Sequence, residues 1–338
     1  WPYKMLASIT AILAFIIASP IMLRAPRRDN HPVGIEEKNF ILIKSPTVGY
    51  EDIIPEKVFE RYGEAYIIEK PSVKEGYLTQ SAKSLLKKSF KKYPFKIYFN
   101  YILFRELCIY SPLLGNYNTR AIVVYVNERN IAGPIISNIC ELEGVDFVSF
   151  MHGEYILQLI QGFMRFTKFY VWDTHYIKMF QEDLRCAQDQ FEIYTPQKLK
   201  GICKPREDDA TYEYFATYYF SAESKKRIDK VAKAFSILKA QGKRCKIRPH
   251  PRRSNMEALY DAFIGFDIED PNKVSLAESM ECSQYIIALN STVLSEAYYA
   301  GKKIVIDDYS EPERYQNLKN RKYIMIYKPH KLLSSLVY

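Results

Sequence analysis

"QYIIALNSTVLSEAYYAGKKIVI", residues 284–306, decides the fold of this chain. It opens on an apolar run of strand length, breaks at Asn290-Ser291-Thr292, continues with apolar residues at helical spacing, stops at Gly301 and returns to a β-branched run. A strand, a helix and a second strand in this succession make a βαβ unit, whose two strands lie parallel in a sheet covered by helices. The breaks also carry chemistry. Ser291 and Thr292 occupy the turn into the helix, where backbone N–H groups and hydroxyls can hold a phosphate at the positive end of the helix dipole. Ser291 fits equally well as a plain N-cap, a role that needs no ligand. Glu296, one turn further, can reach a ribose, steady the loop or face solvent.

Upstream, "KIRPHPRRSN" (246–255) ends an alternating strand in His250-Pro251. Pro251 cannot continue a ladder and fixes the turn that aims His250 outward. Residues 243–253 hold six basic side chains and no acid. Arg248 and Arg252 can supply charge-assisted forks to a phosphate, and an imidazole N–H one directed bond. Taken alone, an H-P dipeptide in a basic surface loop needs no ligand; beside the Ser291 turn it reads as half of an anion site.

Working outward, short β-branched runs alternate with amphipathic ones along both halves. The first series is "NFILIK" (39–44), "AYIIEK" (65–70), "AIVVYVN" (121–127), "DFVSFMH" (146–152), "FYVW" (169–172) and "FEIY" (191–194). The second is "YEYFATYYF" (212–220), "CKIRPH" (245–250), "GFDIED" (265–270), "QYIIALN" (284–290), "KIVIDD" (303–308) and "YIMIY" (323–327). The helix predicted over 224–242 closes on Gly242. Two such series predict two doubly wound domains, 39–196 and 211–338, with the aperiodic, proline-bearing stretch 195–210 as linker. Ligands of such domains bind at the carboxyl ends of the strands, where His250 and Ser291 fall.

Composition agrees with a folded chain: of 338 residues, 48% are hydrophobic and 26% charged. A net charge of +9 favours anionic partners. Six scattered cysteines without a C-x-x-C pair suggest neither a zinc site nor a disulfide framework. There is no D-x-D, G-x-G-x-x-G or P-loop, so no metal and no cofactor are expected. Residues 1–38 form a separate segment: 5–23 is uncharged and near membrane-spanning length, and "RAPRR" (24–28) follows it. That arrangement places the bulk of the chain in the cytoplasm, with the segment either anchored in the membrane or a buried or interfacial helix. "KSLLKKSFKKYPFKIYFNYILF" (83–104) interleaves lysines with apolar residues, as a helix on an anionic membrane does, or one packed on a core with its lysines in water. The basic residues concentrate at strand ends rather than on one face, which argues against nucleic acid as a partner. His175, just after Asp173-Thr174, reads as part of a helix cap, and His31 and His330 as surface residues.

"KIRPHPR" followed by "ALNSTVLSEAYYAGKKIVI" resembles the carboxyl-terminal half of bacterial GT-B glycosyltransferases of capsule and lipopolysaccharide synthesis. The match is most specific to the HP and Ser-Ser/Thr motifs of sialyltransferases and polysialyltransferases. Related patterns occur in Kdo transferases and in the CDP-glycerol glycerophosphotransferases of teichoic acid synthesis. The resemblance is specific over 245–306 and architectural over 39–200. It implies an α/β GT-B fold, two doubly wound Rossmann-like domains facing a cleft, in which Arg248, His250, Pro251, Arg252, Asn290, Ser291, Thr292 and Glu296 bind the donor. The implied activity is metal-independent, inverting transfer of a sialic acid or Kdo-like sugar from a CMP-activated donor to a glycan or glycolipid acceptor. It would take place on the cytoplasmic face of the inner membrane, with the chain held peripherally or by one amino-terminal anchor. In "VSFMHGEYI" (148–156), His152-Gly153 resembles the HG motif of the glycerophosphotransferases, whereas the D/E-D/E-G triplet of sialyltransferases is absent. Either His152 or Glu154 is then the base. A polyol-phosphate transferase using a CDP-linked donor is the alternative, and a non-catalytic binder of sugar nucleotides or polyanions a third.

Overall fold

Apolar runs without alternation need cover on both faces, and the strands sort accordingly into two parallel six-stranded sheets flanked by helices. The computed structural model describes residues 40–44, 54–69, 76–116, 120–125, 133–194, 196, 212–221 and 223–338. The apolar segment 5–23, His31 and Cys203 lie outside the described residues, as does the expected linker 195–210 apart from Pro196. The chain divides into two units, one within Trp1–His152 and Gln158–Tyr194, the other within Gly153–Leu157 and Thr195–Tyr338.

The first unit runs β1 (Phe40–Lys44), α1 (Glu56–Tyr62), β2 (Ala65–Glu69), α2 (Gln80–Lys92), α3 (Ile97–Asn116), β3 (Ala121–Tyr125), α4 (Gly133–Leu142), β4 (Asp146–Phe150), β5 (Lys168–Val171), α5 (Thr174–Lys178) and β6 (Phe191–Ile193). Its strand order is β2-β1-β3-β4-β5-β6, all parallel. Phe40, Leu42, Val123, Val148 and Phe150 are buried together in its core. Asp173 caps α5 by accepting the His175 N–H at 2.8 Å, so His175 belongs to a capping turn.

The second unit runs β7 (Tyr214–Tyr219), α6 (Lys225–Ala240), β8 (Cys245–Arg248), α7 (Met256–Ala262), β9 (Asp267–Ile268), α8 (Leu276–Glu281), β10 (Ser283–Ala288), α9 (Thr292–Tyr299), β11 (Lys303–Ile306), α10 (Pro312–Asn320), β12 (Lys331–Leu332) and α11 (Ser334–Val337). Its order is β12-β11-β10-β7-β8-β9, again parallel throughout. Helix α6 shows why the sequence folds this way. Ser224 caps it through the Arg227 N–H, and Ile228, Val231, Phe235 and Leu238 recur on one face, all buried. Each such side chain contributes roughly 1.5–3 kcal/mol on burial. The helix ends where Gly242 takes φ 77°, a left-handed conformation that costs a glycine nothing. Gly301, at φ 75°, ends α9 in the same way and turns the chain into β11.

Two expectations fail for local reasons. "YIMIY" (323–327) is not a strand: Ile324–Tyr327 is a 3₁₀ turn, in which the consecutive residues Ile324 and Met325 are both buried. The edge position beside β11 goes instead to Lys331–Leu332. The 83–104 stretch is not one helix either, because Pro94 cannot continue α2, and the chain turns through Tyr93–Lys96 before α3 begins. Among the described residues, no helix is long and apolar enough to cross a membrane. The five described cysteines are free thiols.

Candidate anion site of the second unit

Strand order in the second sheet reverses between β7 and β10: β8 and β9 follow β7 on one side, while β10, β11 and β12 extend the other. At such a switch point the loops after adjacent strands diverge and leave a crevice at their carboxyl ends. The flanking loops are Phe220–Ser224 after β7 and Leu289–Ser291 after β10, with the His250 turn after β8 beside them.

His250 is half-buried and held from two sides. Its N–H donates to Ser254 Oγ at 2.8 Å, and Ser254 Oγ donates to the Ser221 carbonyl at 3.0 Å, tying the turn to the β7 loop. The Arg252 N–H donates to His250 Nδ1 at 3.1 Å. Burial, then the positive charges of Arg253 and Arg252, hold the imidazole below its usual value. A neutral ring that accepts at Nδ1 carries its proton on Nε2, so His250 presents one directed donor. Pro251, Arg252 and Arg253 are exposed, and the two arginines make no ion pair among the described residues.

Arg248 departs from the expectation that it grips a phosphate. Its guanidinium is buried, donates to Glu269 and to the Val274 carbonyl at 2.9 Å, and sits 3.4 Å from the Ser275 carbonyl. Lys246 also bonds Glu269, while Arg244 pairs with Asp267 at 2.9 Å and Glu213 at 3.3 Å. Three of the six basic residues are thus paired with acids in β9, just after it and just before β7. The strand period sends Lys246 and Arg248 to the same face, and β9 pairs with β8 in the register that brings Glu269 there.

Ser291 is the N-cap of α9, accepting the Val293 N–H at 3.3 Å, and Thr292 is exposed at the first helical position. Asn290 is exposed, and its Oδ1 accepts from Arg314 at 3.1 Å. The hydroxyl of buried Tyr323 lies against the same turn, 3.4 Å from the Ser291 nitrogen and 3.3 Å from its carbonyl. Tyr323 also hydrogen-bonds Glu154, and Glu296 lies close enough to Glu154 for the two carboxyl groups to repel.

Glu154 therefore belongs with the Ser291 turn. Gly153–Leu157 is part of the second unit, fastened by the Leu157 N–H to the Arg321 carbonyl at 2.7 Å and by Arg321 Nε to the Leu157 carbonyl at 3.3 Å. The residue is half-buried, yet its Oε1 is shielded from solvent and has no hydrogen-bond partner. Burial pushes the carboxyl up to about 8, aided by Glu296 and opposed by the Tyr323 hydrogen bond. At neutral pH it is mostly protonated, able to donate to an anion or to accept a proton once ionised. His152, half-buried, follows β4 in the first unit.

The pH dependence has a definite sign. A carboxyl raised from 4.5 to about 8 on folding contributes stability that is complete below pH 4.5 and lost as pH rises through 8. Glu154→Gln does not titrate. We expect its stability relative to the parent to improve by about 4 kcal/mol between pH 5 and pH 8.5, read from denaturant melts at both values. An unchanged difference would contradict the raised value.

Sequence reasoning did not find Tyr323, Ser254, Glu269 or a buried cluster of Tyr218, Arg227, Asp307 and Ser310 beneath the site. Ser254 stood in the quoted "RRSN", four residues past His250, where a turn-closing hydroxyl is ordinary. The others carry no local signal. Among the described residues, no cluster of His, Cys, Asp or Glu is arranged to hold a metal.

No family model and no curated protein matches the chain. Solved structures share its architecture. MurG of Acinetobacter baumannii superposes with TM-score 0.51 at 13% identity, over 89% of this chain and 88% of that one. The wall teichoic acid polymerase TagF gives 0.48 at 10% identity, over 100% and 89%. A UDP-GlcNAc 2-epimerase of Methanocaldococcus jannaschii, solved with UDP-GlcNAc and UDP, gives 0.44 at 12% identity, over 82% and 86%. The chain has the α/β GT-B fold, with two doubly wound Rossmann-like units.

Proposed function

We propose that this chain is a glycosyltransferase that takes a sugar from a nucleotide-activated donor, with the donor phosphate held at the switch point of the second unit. One observation carries the reading: the His250 turn after β8 and the amino terminus of α9 after β10 stand at the carboxyl edge of one sheet on either side of β7, and Arg252 and Arg253 make no ion pair among the described residues. Donors of this kind bind a phosphate and stabilise the charge that develops on it as it leaves. The finer reading is a CMP-linked sugar such as sialic acid or Kdo, transferred with inversion to a surface glycan or glycolipid. It rests on the resemblance of the HP and Asn-Ser-Thr motifs. In that reaction the acceptor oxygen attacks the anomeric carbon, the bond from that carbon to the phosphate oxygen breaks, and CMP leaves with the electron pair. The acceptor proton passes to His152 or Glu154.

The His152-Gly153 pair favours a second reading, in which a CDP-linked polyol donates its phosphate along with the polyol. CMP is released in both cases, so phosphorus NMR of the product distinguishes them: a new phosphodiester marks the polyol transferase. Binding without any turnover would mark a non-catalytic protein.

The donor site itself is tested by calorimetry with CMP, CDP, UDP and GDP. His250→Ala removes one donor to the phosphate, and Ser291→Ala with Thr292→Ala removes two hydroxyls. At roughly 1.5–3 kcal/mol for a bond to a charged group, each change is expected to weaken nucleotide binding by about one to two decades. Unaltered affinity in both variants would place the nucleotide elsewhere.

A further inference from the structure

The elbow between α2 and α3 belongs to the first unit and plays no part in the donor site. From Gly76 to Arg105 the chain carries six lysines and one arginine and not a single acid. Lys87, Lys88, Lys91, Lys92 and Lys96 are all exposed. At the bend Phe95 is 92% exposed, Tyr98 53%, Phe99 44% and Tyr93 42%. Four large aromatic side chains in seven residues, left in water, represent a patch that a soluble surface avoids.

The bend is also rigid. Asn100, fully buried, accepts from Ser89 Oγ at 2.6 Å and donates to the Tyr93 carbonyl at 2.9 Å, stapling the two helices. The Tyr93 and Phe99 rings pack edge to face at 6.1 Å, and Lys92 Nζ lies 5.3 Å from the Tyr93 ring centre. Behind the bend a groove of about 530 Å³ runs between Leu85, Phe99, Pro134 and Ile135, with Lys88 and Lys92 in its walls. Aromatic side chains at a fixed tip, ringed by lysines with no acid among them, match a surface that is apolar inside and anionic outside.

We propose that this elbow is a membrane-binding surface that seats on an anionic lipid bilayer, Phe95 and its neighbours entering the acyl boundary and the lysines facing lipid phosphates. Each lysine near an anionic surface strengthens attachment by roughly a factor of five, so charge reversal at three sites removes a large share of it.

The test uses the full chain and vesicles of phosphatidylcholine alone or with phosphatidylglycerol. Sedimentation should show binding to the anionic vesicles that weakens with salt. The triple change K88E/K91E/K92E should reduce it on the order of 100-fold, and Phe95→Ser about tenfold. These side chains are exposed, and circular dichroism checks that the variants fold. Phe95→Trp supplies a reporter at the tip, whose emission should shift to the blue on anionic vesicles only. Parent and variants bound alike, or an unshifted emission from vesicle-bound Phe95→Trp, overturns the proposal. So does the absence of binding by the parent, which would leave the patch to a protein partner.

Discussion

His152→Ala is expected to lower turnover by about 10² to 10⁴ while leaving nucleotide affinity close to that of the parent. The acceptor hydroxyl must lose its proton as the new bond forms, and a neutral imidazole is a suitable group to receive it. His152 lies two residues past the end of β4, and two residues later Glu154 already belongs to the unit that carries Ser291 and His250. Glu154 is the competitor, and its environment separates the two roles. With its carboxyl pushed up to about 8, roughly one molecule in ten is ionised at pH 7. A Glu154 base would therefore make the rate climb until about pH 8 in the parent and not in Glu154→Gln, whereas with a His152 base the two enzymes would share one profile. The kcat profile of the parent, compared with that of Glu154→Gln, distinguishes them. Near-normal turnover in His152→Ala removes His152 from the mechanism; loss of turnover in Glu154→Gln alone assigns the base to the carboxyl.

Asp307→Ala should destabilise the second unit by about 3–5 kcal/mol, the cost of breaking a buried charge cluster from one side. Asp307 is fully buried just after β11. Its Oδ1 accepts the N–H groups of Tyr309 at 3.1 Å and Ser310 at 2.8 Å; its Oδ2 accepts from the Tyr218 hydroxyl at 2.6 Å and from Ser310 Oγ. The Arg227 guanidinium lies 3.7 Å away, itself bonded to Tyr218 Oη at 2.6 Å and Glu223 at 3.2 Å. Burial and the adjacent carboxylate push the Tyr218 phenol well up, so it remains a donor. Alanine would leave several buried donors without an acceptor, each costing about 1–3 kcal/mol. The damage is expected to reach the His250 turn, because Glu223 also accepts the Ser221 N–H at 2.6 and 2.7 Å, and Ser221 holds Ser254 and through it His250. Asp307→Asn, which keeps one acceptor, should lose less. Denaturant melts measure both; a loss under about 1 kcal/mol for alanine would mean that the cluster contributes specificity rather than stability.

What was legible in the sequence was local. The βαβ unit of 284–306, the cap at Ser291, the stop at Gly242 and the turn at His250-Pro251 depend on side-chain period and turn chemistry within a few residues. The 3₁₀ turn at Ile324–Tyr327 misled because five consecutive apolar residues look alike whether or not a sheet edge is free to receive them. Arg248 misled for a related reason. Its residue type and position at a strand end suit a phosphate, and nothing nearby in the chain names Glu269 as its partner.

The sequence alone determined the α/β class, the parallel sheets and the positions of the His250 and Ser291 turns, since hydrophobic period, caps and breakers act over a turn or a strand. Only the tertiary structure decided which charges remain available to a ligand. Pairing β9 against β8 occupies Arg248, and docking Gly153–Leu157 beside Arg321 carries Glu154 to Tyr323 and the Ser291 turn. Those partners are separated by between 21 and 169 residues, and what joins them is strand order and burial. A charge is neutralised, or a carboxyl kept protonated, by the groups that share its low-dielectric surroundings, and those surroundings exist only after the sheets have assembled.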